Sequence, residues 1–347
     1  MWFSLFSYIK SRRWLLTFIY IIFAVLLVSA FAILLLAQKP TPEKITYGMS
    51  FNTMYARELG LDWKDTYDAI LDDLGVRELR LAAHWPMIEP VHNVYNFVEL
   101  DYQIKRAEEV GAKVILAVGR RLPRWPECHV PDWSKDLAIT DKHIAQIDYM
   151  TQVINRYKNS PAVVMWQLEN EPFLKVFAYE HCGDLDLDFL AKEKSLIKEL
   201  DPSRQILVTD SGNLGTWAGA YSRGDVFGTS VYVHFWNPDL GQFRTVLPPW
   251  AYIVKDNLMG AIYGDKPTML IELSAEPWLI EPISEVPVEI QFTRMNLEKF
   301  EDILKYAEGT KFDKQYLWGA EWWYWLKLNN HPEMWERGKR LYNQTNE

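Results

Sequence analysis

Eight short runs of β-forming residues recur along this chain, and most are followed by enough residues for a helix. They are Thr46–Phe51, Glu78–Ala83, Lys113–Val118, Val163–Leu168, Gln205–Val208, Val226–Val231, Thr268–Ile271 and Gln315–Trp318. Between them, Trp63–Leu74, Tyr102–Val110, Ile144–Tyr157, Leu187–Leu200 and Asn296–Ala307 place apolar residues near i, i+3, i+4 and i+7, the spacing of an amphipathic helix. Gly75 and Gly111 fall where two of these helices should stop. Strands alternating with helices predict a parallel sheet, and eight such units predict closure into a (β/α)8 TIM barrel, an α/β fold. The rival is an open doubly wound sheet. It needs fewer strands and, when it binds nucleotides, a Gly-rich first turn, and neither is found here. The length of 347 residues suits one barrel of about 250 residues with additions.

Ahead of the first strand, Trp14 to Ala37 contains no charged residue, and an apolar helix of about 20 residues spans a bilayer. Lys10, Arg12 and Arg13 precede it, so the positive-inside rule places the N-terminus in the cytoplasm and sends the rest of the chain across the membrane. A cleaved signal peptide would have a shorter apolar core followed by a small-residue cleavage site. Here Ala30 and Ala32 are followed by Ile33–Leu36, more of the same apolar run. The expected organisation is a basic cytoplasmic segment over 1–13, a transmembrane anchor over 14–37, a linker over 38–45 containing Pro40 and Pro42, and an extracytoplasmic barrel domain over 46–347.

Charge narrows the partners. The chain has 37 Lys and Arg against 46 Asp and Glu, and three of those cations lie before the apolar run, so the exported part is more acidic than the net −9 of the whole. That balance argues against nucleic acid, which requires a basic face, and leaves neutral polymers open. The 16 Trp fit a surface that stacks on sugar rings, although indoles also fill cores. The seven His show no H-E-x-x-H spacing and no phosphate loop is present, so neither a metal nor a cofactor is expected.

Active sites of such barrels lie at the C-terminal ends of the strands. Two apolar runs end in acids there. One reads Val163-Val164-Met165-Trp166-Gln167-Leu168-Glu169-Asn170-Glu171-Pro172, and the other reads Met269-Leu270-Ile271-Glu272-Leu273. Taken alone, Glu171 could be a first-turn acid at a helix start and Glu272 a strand-end ion-pair partner. Together they supply what glycoside hydrolysis needs, one protonated carboxyl and one ionised carboxylate flanking the scissile bond.

These motifs resemble the retaining glycoside hydrolases of clan A, near the cellulase-type and β-galactosidase-type branches, over nearly everything after Ile45. Asn170-Glu171-Pro172 resembles the clan's acid/base motif, and Glu272 falls where its strand-seven nucleophile belongs. The resemblance implies Glu171 as acid/base and Glu272 as nucleophile in a retaining double displacement that needs no cofactor. It further implies that Arg80, in Leu79-Arg80-Leu81 with Trp85, pairs with Glu272 and keeps it ionised, and that Arg80 and Trp85 are among the residues that bind the sugar. Asn170 would bond the sugar 2-hydroxyl, Tyr232 would orient the nucleophile, and a Trp of the run Trp318–Trp325, here assigned to Trp325, would floor the sugar subsite. At the end of strand three, Gly119-Arg120-Arg121-Leu122-Pro123-Arg124-Trp125-Pro126 replaces the His-rich segment of the cellulase branch, which leaves the sugar open.

His84 and His234 follow strands and are candidate contacts for sugar hydroxyls, while Glu276 is expected in a loop or subsite. Cys128 and Cys182 occupy adjacent barrel loops. In an exported domain a disulfide between them competes with free thiols and, less favourably, with a zinc site shared with His129 and His181. The expected partners are an oligo- or polysaccharide and the membrane. Transglycosylation at the same two residues and a non-catalytic carbohydrate-binding barrel are the alternative functions.

Overall fold

The computed structural model describes residues 2–346 except 177, 178, 240 and 280; Met1 and Glu347, the outer limits of the expected segments, lie outside the described residues. Eight parallel strands close a barrel: β1 (Thr46–Ser50), β2 (Glu78–Ala82), β3 (Lys113–Val118), β4 (Val163–Leu168), β5 (Gln205–Asp210), β6 (Val226–Val231), β7 (Thr268–Ser274) and β8 (Lys314–Trp318). Neighbours in sequence are neighbours around the barrel, and β8 returns to β1 with Thr46 opposite Lys314.

The helices form where the pattern and the caps agree. Asp62 accepts hydrogen bonds from the amides of Lys64 and Asp65 at the start of Trp63–Asp72, whose Thr66, Tyr67, Ile70 and Leu71 are buried. Asp186 and Asn296 cap Leu187–Leu200 and Leu297–Glu308 in the same way. Inside the barrel, Ile115, Met165, Leu207, Met269, Ile271 and Tyr316 form a core of their own. Gly48 makes room for it, because a Cβ there would sit 2.4 Å from the Tyr316 ring. Tyr316 crosses this space to donate a hydrogen bond to Glu78 Oε2 at 3.1 Å.

Two segments depart from the sequence reading. Strand β7 continues past Ile271 to Ser274, so Glu272 lies within the strand. The aromatic run after Trp318 is not a continuing strand, because Gly319 turns the chain at φ 121° and Ala320–Leu328 is a helix. Helix α1 (Trp2–Leu36) contains one stretch long and apolar enough to cross a membrane, Thr17–Leu36. After it the chain runs beneath the barrel, where Lys39 pairs with Asp256 at 2.6 Å and Lys311 donates to Thr41 Oγ1 at 2.9 Å.

Candidate active site

A cavity of about 580 Å³ opens at the C-terminal ends of the strands. Strand β7 delivers Glu272 to it. The register against β6 slips so that Thr229 faces Leu270 while Ser230 faces Glu272, and this irregularity turns the carboxylate into the mouth. Glu272 is the one residue of β7 that is not buried. Arg80 Nη1, from β2, lies 3.1 Å from Glu272 Oε2, and the Tyr232 hydroxyl donates to Oε1 at 2.5 Å. Arg80 is itself fixed, donating from Nε to Gln167 Oε1 at 2.8 Å and from Nη2 to Asn170 Oδ1 at 2.6 Å. The guanidinium is buried, and its fork is spent on Gln167 of β4, Asn170 in the turn after it, and the Ile271 carbonyl and Glu272 carboxylate of β7.

Glu171 stands in a different environment. It follows Asn170 in the turn after β4 with φ 44°, and its amide donates to Thr209 Oγ1 of β5 at 2.8 Å. Its side chain is buried, and Ser230, the residue opposite Glu272 in the sheet, hydrogen-bonds to it. Burial, then the negative charges of Glu272 and Glu127, push its pKa well above the ordinary carboxylate range. Glu171 Oε1 is buried and has no hydrogen-bond partner among the described residues. The site therefore holds one carboxyl whose surroundings favour its neutral form beside a second that is held by a guanidinium and a phenol.

Three residues expected at the sugar lie elsewhere. Trp85 is fully buried, stacks on Tyr149 with ring centroids 5.6 Å apart, and donates to Glu89 at 2.8 Å, so it is a core residue under the β2 loop. His234 starts a two-stranded hairpin, His234–Asn237 with Gly241–Arg244, and lies 3.0 Å from Asp302 outside the cavity. Trp325 sits on the helix Ala320–Leu328, half-buried against the core, because that helix begins before it; Trp318, at the end of β8, lines the cavity instead. His84 is buried beside His129, within 3.4 Å of Asn52 Nδ2 and 3.3 Å of the Pro123 carbonyl, and burial holds its pKa well down.

The loop after β3 contributes what the sequence reading missed. Glu127 lines the cavity, and Arg121 holds its Oε2 from Nε at 2.9 Å and from Nη2 at 2.8 Å. Burial raises its pKa, opposed by Arg121. Arg124 lies over the Tyr55 ring, 3.1 Å from its centroid, and pairs with Glu276 Oε1 at 2.8 Å, leaving Glu276 Oε2 buried without a hydrogen-bond partner among the described residues. Glu127 stands immediately before Cys128, and that adjacency was the only signal available. Cys128 and Cys182 are joined in a disulfide with Cα atoms 5.3 Å apart, binding the β3 loop to the β4 loop.

Comparison with known proteins bears on the family and the fold. The model of glycoside hydrolase family 42, described as Beta-galactosidase, matches residues 62–259, more than half of the chain. The chain is similar to Mannan endo-1,4-beta-mannosidase F of Aspergillus clavatus, 26% identical over 197 residues covering 52% of this chain and 43% of that protein. It is also similar to Mannan endo-1,4-beta-mannosidase A of Podospora anserina, 25% identical over 218 residues, 57% of this chain and 55% of that one. The matches thus span about half the length of these curated relatives. Among solved structures, a GH5_18 protein of Bifidobacterium longum subsp. longum in complex with Manβ1-4GlcNAc shares the fold with a TM-score of 0.55 at 13% identity, over 79% of this chain and 68% of that one. The matched family model, together with the eight-stranded barrel, places the chain among the clan A glycoside hydrolases, as a member of the family described as Beta-galactosidase.

Proposed function

We propose that the protein is a retaining glycosidase acting on β-linked hexosides of galacto or manno configuration, with Glu272 as nucleophile and Glu171 as acid/base. The observation that carries this reading is the contrast between the two carboxyl groups. Glu272 is tied to Arg80 and Tyr232, while Glu171 is buried, kept neutral by its surroundings and free at Oε1. In the first step Glu272 forms a bond to the anomeric carbon as the glycosidic C–O bond breaks, and the departing oxygen takes the proton of Glu171. In the second, a water attacks the same carbon, its proton passes to Glu171, and the glycosyl ester of Glu272 is cleaved. Asn170, its Oδ1 held by Arg80, offers its Nδ2–H to the sugar 2-hydroxyl, and Trp318 offers an indole face to the ring. The galacto or manno configuration rests on the family description and on the relatives' names.

The same reading assigns residues 14–37 to a membrane anchor with the N-terminus cytoplasmic, residues 38–45 to a linker and the barrel to the far side of the membrane. The apolar stretch Thr17–Leu36 supports it, as does the disulfide, which belongs to an oxidising compartment. The test of the chemistry is Glu272→Ala with an activated aryl β-glycoside. Turnover should fall by roughly 10⁴-fold or more, and azide should restore release of the aryl group while trapping a glycosyl azide of inverted configuration. Activity near that of the unmodified enzyme would remove Glu272 from the reaction.

A further inference from the structure

The helix between β6 and β7, Trp250–Tyr263, holds the end of the apolar N-terminal helix. Asn257 donates from Nδ2 to the backbone carbonyl of Leu36 at 2.7 Å and to that of Gln38 at 3.0 Å, and its neighbour Asp256 pairs with Lys39. Leu36 is the last residue of the apolar stretch, so a bilayer around that stretch ends one hydrogen bond away from Asn257. Among the described residues, none of that stretch is buried.

The outward surface of Trp250–Tyr263 fits that position. Val254, Leu258 and Ile262 follow one another at i, i+4 spacing; Leu258 and Ile262 are exposed, as is Tyr263 at the helix end. No charged residue occurs between Asp256 and Asp265. The opposite side of the helix is committed to the barrel through Tyr252, Ile253 and Met259. A bare apolar stripe beside a water-facing domain is costly, whereas aliphatic side chains with a terminal Tyr match the composition of a membrane–water interface. Because the helix leads into the start of β7, its Tyr263 end lies at the end of the barrel opposite the catalytic mouth, as does the linker contact at Lys311 before β8.

We propose that the Leu258–Ile262–Tyr263 face of this helix rests on the membrane entered by the N-terminal helix, so that the barrel stands on its floor with the active-site mouth turned away from the lipid. This rests on the anchor reading given above. The partner is the acyl–headgroup boundary of a bilayer, and the orientation directs the cavity toward glycans distant from the membrane surface.

The test uses the full chain reconstituted in phosphatidylcholine vesicles containing lipids spin-labelled near the headgroup or along the acyl chain. A fluorophore is placed in turn at Phe23→Cys in the apolar stretch, Ile262→Cys on the proposed face and Val246→Cys, a fully exposed position beyond the hairpin. The expected result is strong quenching at 23 by acyl-chain labels, headgroup-label quenching at 262 several-fold above that at 246, and little at 246. Quenching at 23 with none at 262, or equal quenching at 262 and 246, overturns the docking while leaving the anchor in place. Absence of quenching at 23 overturns the anchor itself and the docking with it.

Discussion

At the scale of single residues, the proposed mechanism depends on which carboxyl keeps its proton. Glu171 is held above the ordinary range by burial and by two negative neighbours, one of them Glu127. Activity should therefore decline on the alkaline side as Glu171 loses its proton. In Glu127→Gln that neighbouring charge is gone and the Arg121 cation is left uncompensated; both changes favour ionised Glu171. The alkaline limb of kcat/KM should move to lower pH by about one unit, and an unmoved limb would show that Glu127 does not act on the acid. Arg80, Asn170, Glu171, Tyr232 and Glu272 could be named from the sequence because each sits in a short motif, in or just after a strand, that resembles the clan's. Glu127 and Arg124 could not, because their place depends on how a loop folds back. Trp318 and Trp325 were confused because a row of aromatic residues has no period that separates a strand end from the helix after it.

At the scale of elements, the eight strands were legible nearly to the residue, since alternating strands and helices leave few other ways to bury so many apolar runs. Their ends were less so: β7 runs three residues further than expected, where a bulge rather than a polar stop turns Glu272 outward. The turn after β3 shows how tightly these ends are built. Gly119 adopts φ 121°, and a Cβ there would come within 2.3 Å of Glu169 Oε1. That carboxylate accepts hydrogen bonds from the amides of Arg120, at 2.8 Å, and Arg121. Gly119→Ala should cost about 2 kcal/mol of stability through the backbone and displace Glu169, lowering the denaturant midpoint and kcat together. A midpoint equal to that of the unmodified protein would rule out this account of the turn.

For the whole molecule, closure of the barrel followed from counting units, whereas the pairing of its loops required coordinates. The disulfide spans a sequence separation of 54 residues and, in the chain-entropy description, contributes about 4 kcal/mol. Thermal unfolding after reduction, or of Cys128→Ser, should show a midpoint lower by several degrees; an unchanged midpoint would mean that the loops are held by their hydrogen bonds alone. Those bonds are numerous: Arg120 Nη2 donates to the Cys182 carbonyl at 2.9 Å, the Asn170 amide to the Arg121 carbonyl at 2.6 Å and Arg121 Nη1 to the Leu174 carbonyl at 2.8 Å. One half of the rim is thus riveted, with the Glu171 turn and the Glu127 loop bonded into a single block. On the reading proposed above, any widening that admits a bulky chain or lets the cleaved piece escape is expected from the facing half, where Trp278 and Leu279 border the opening.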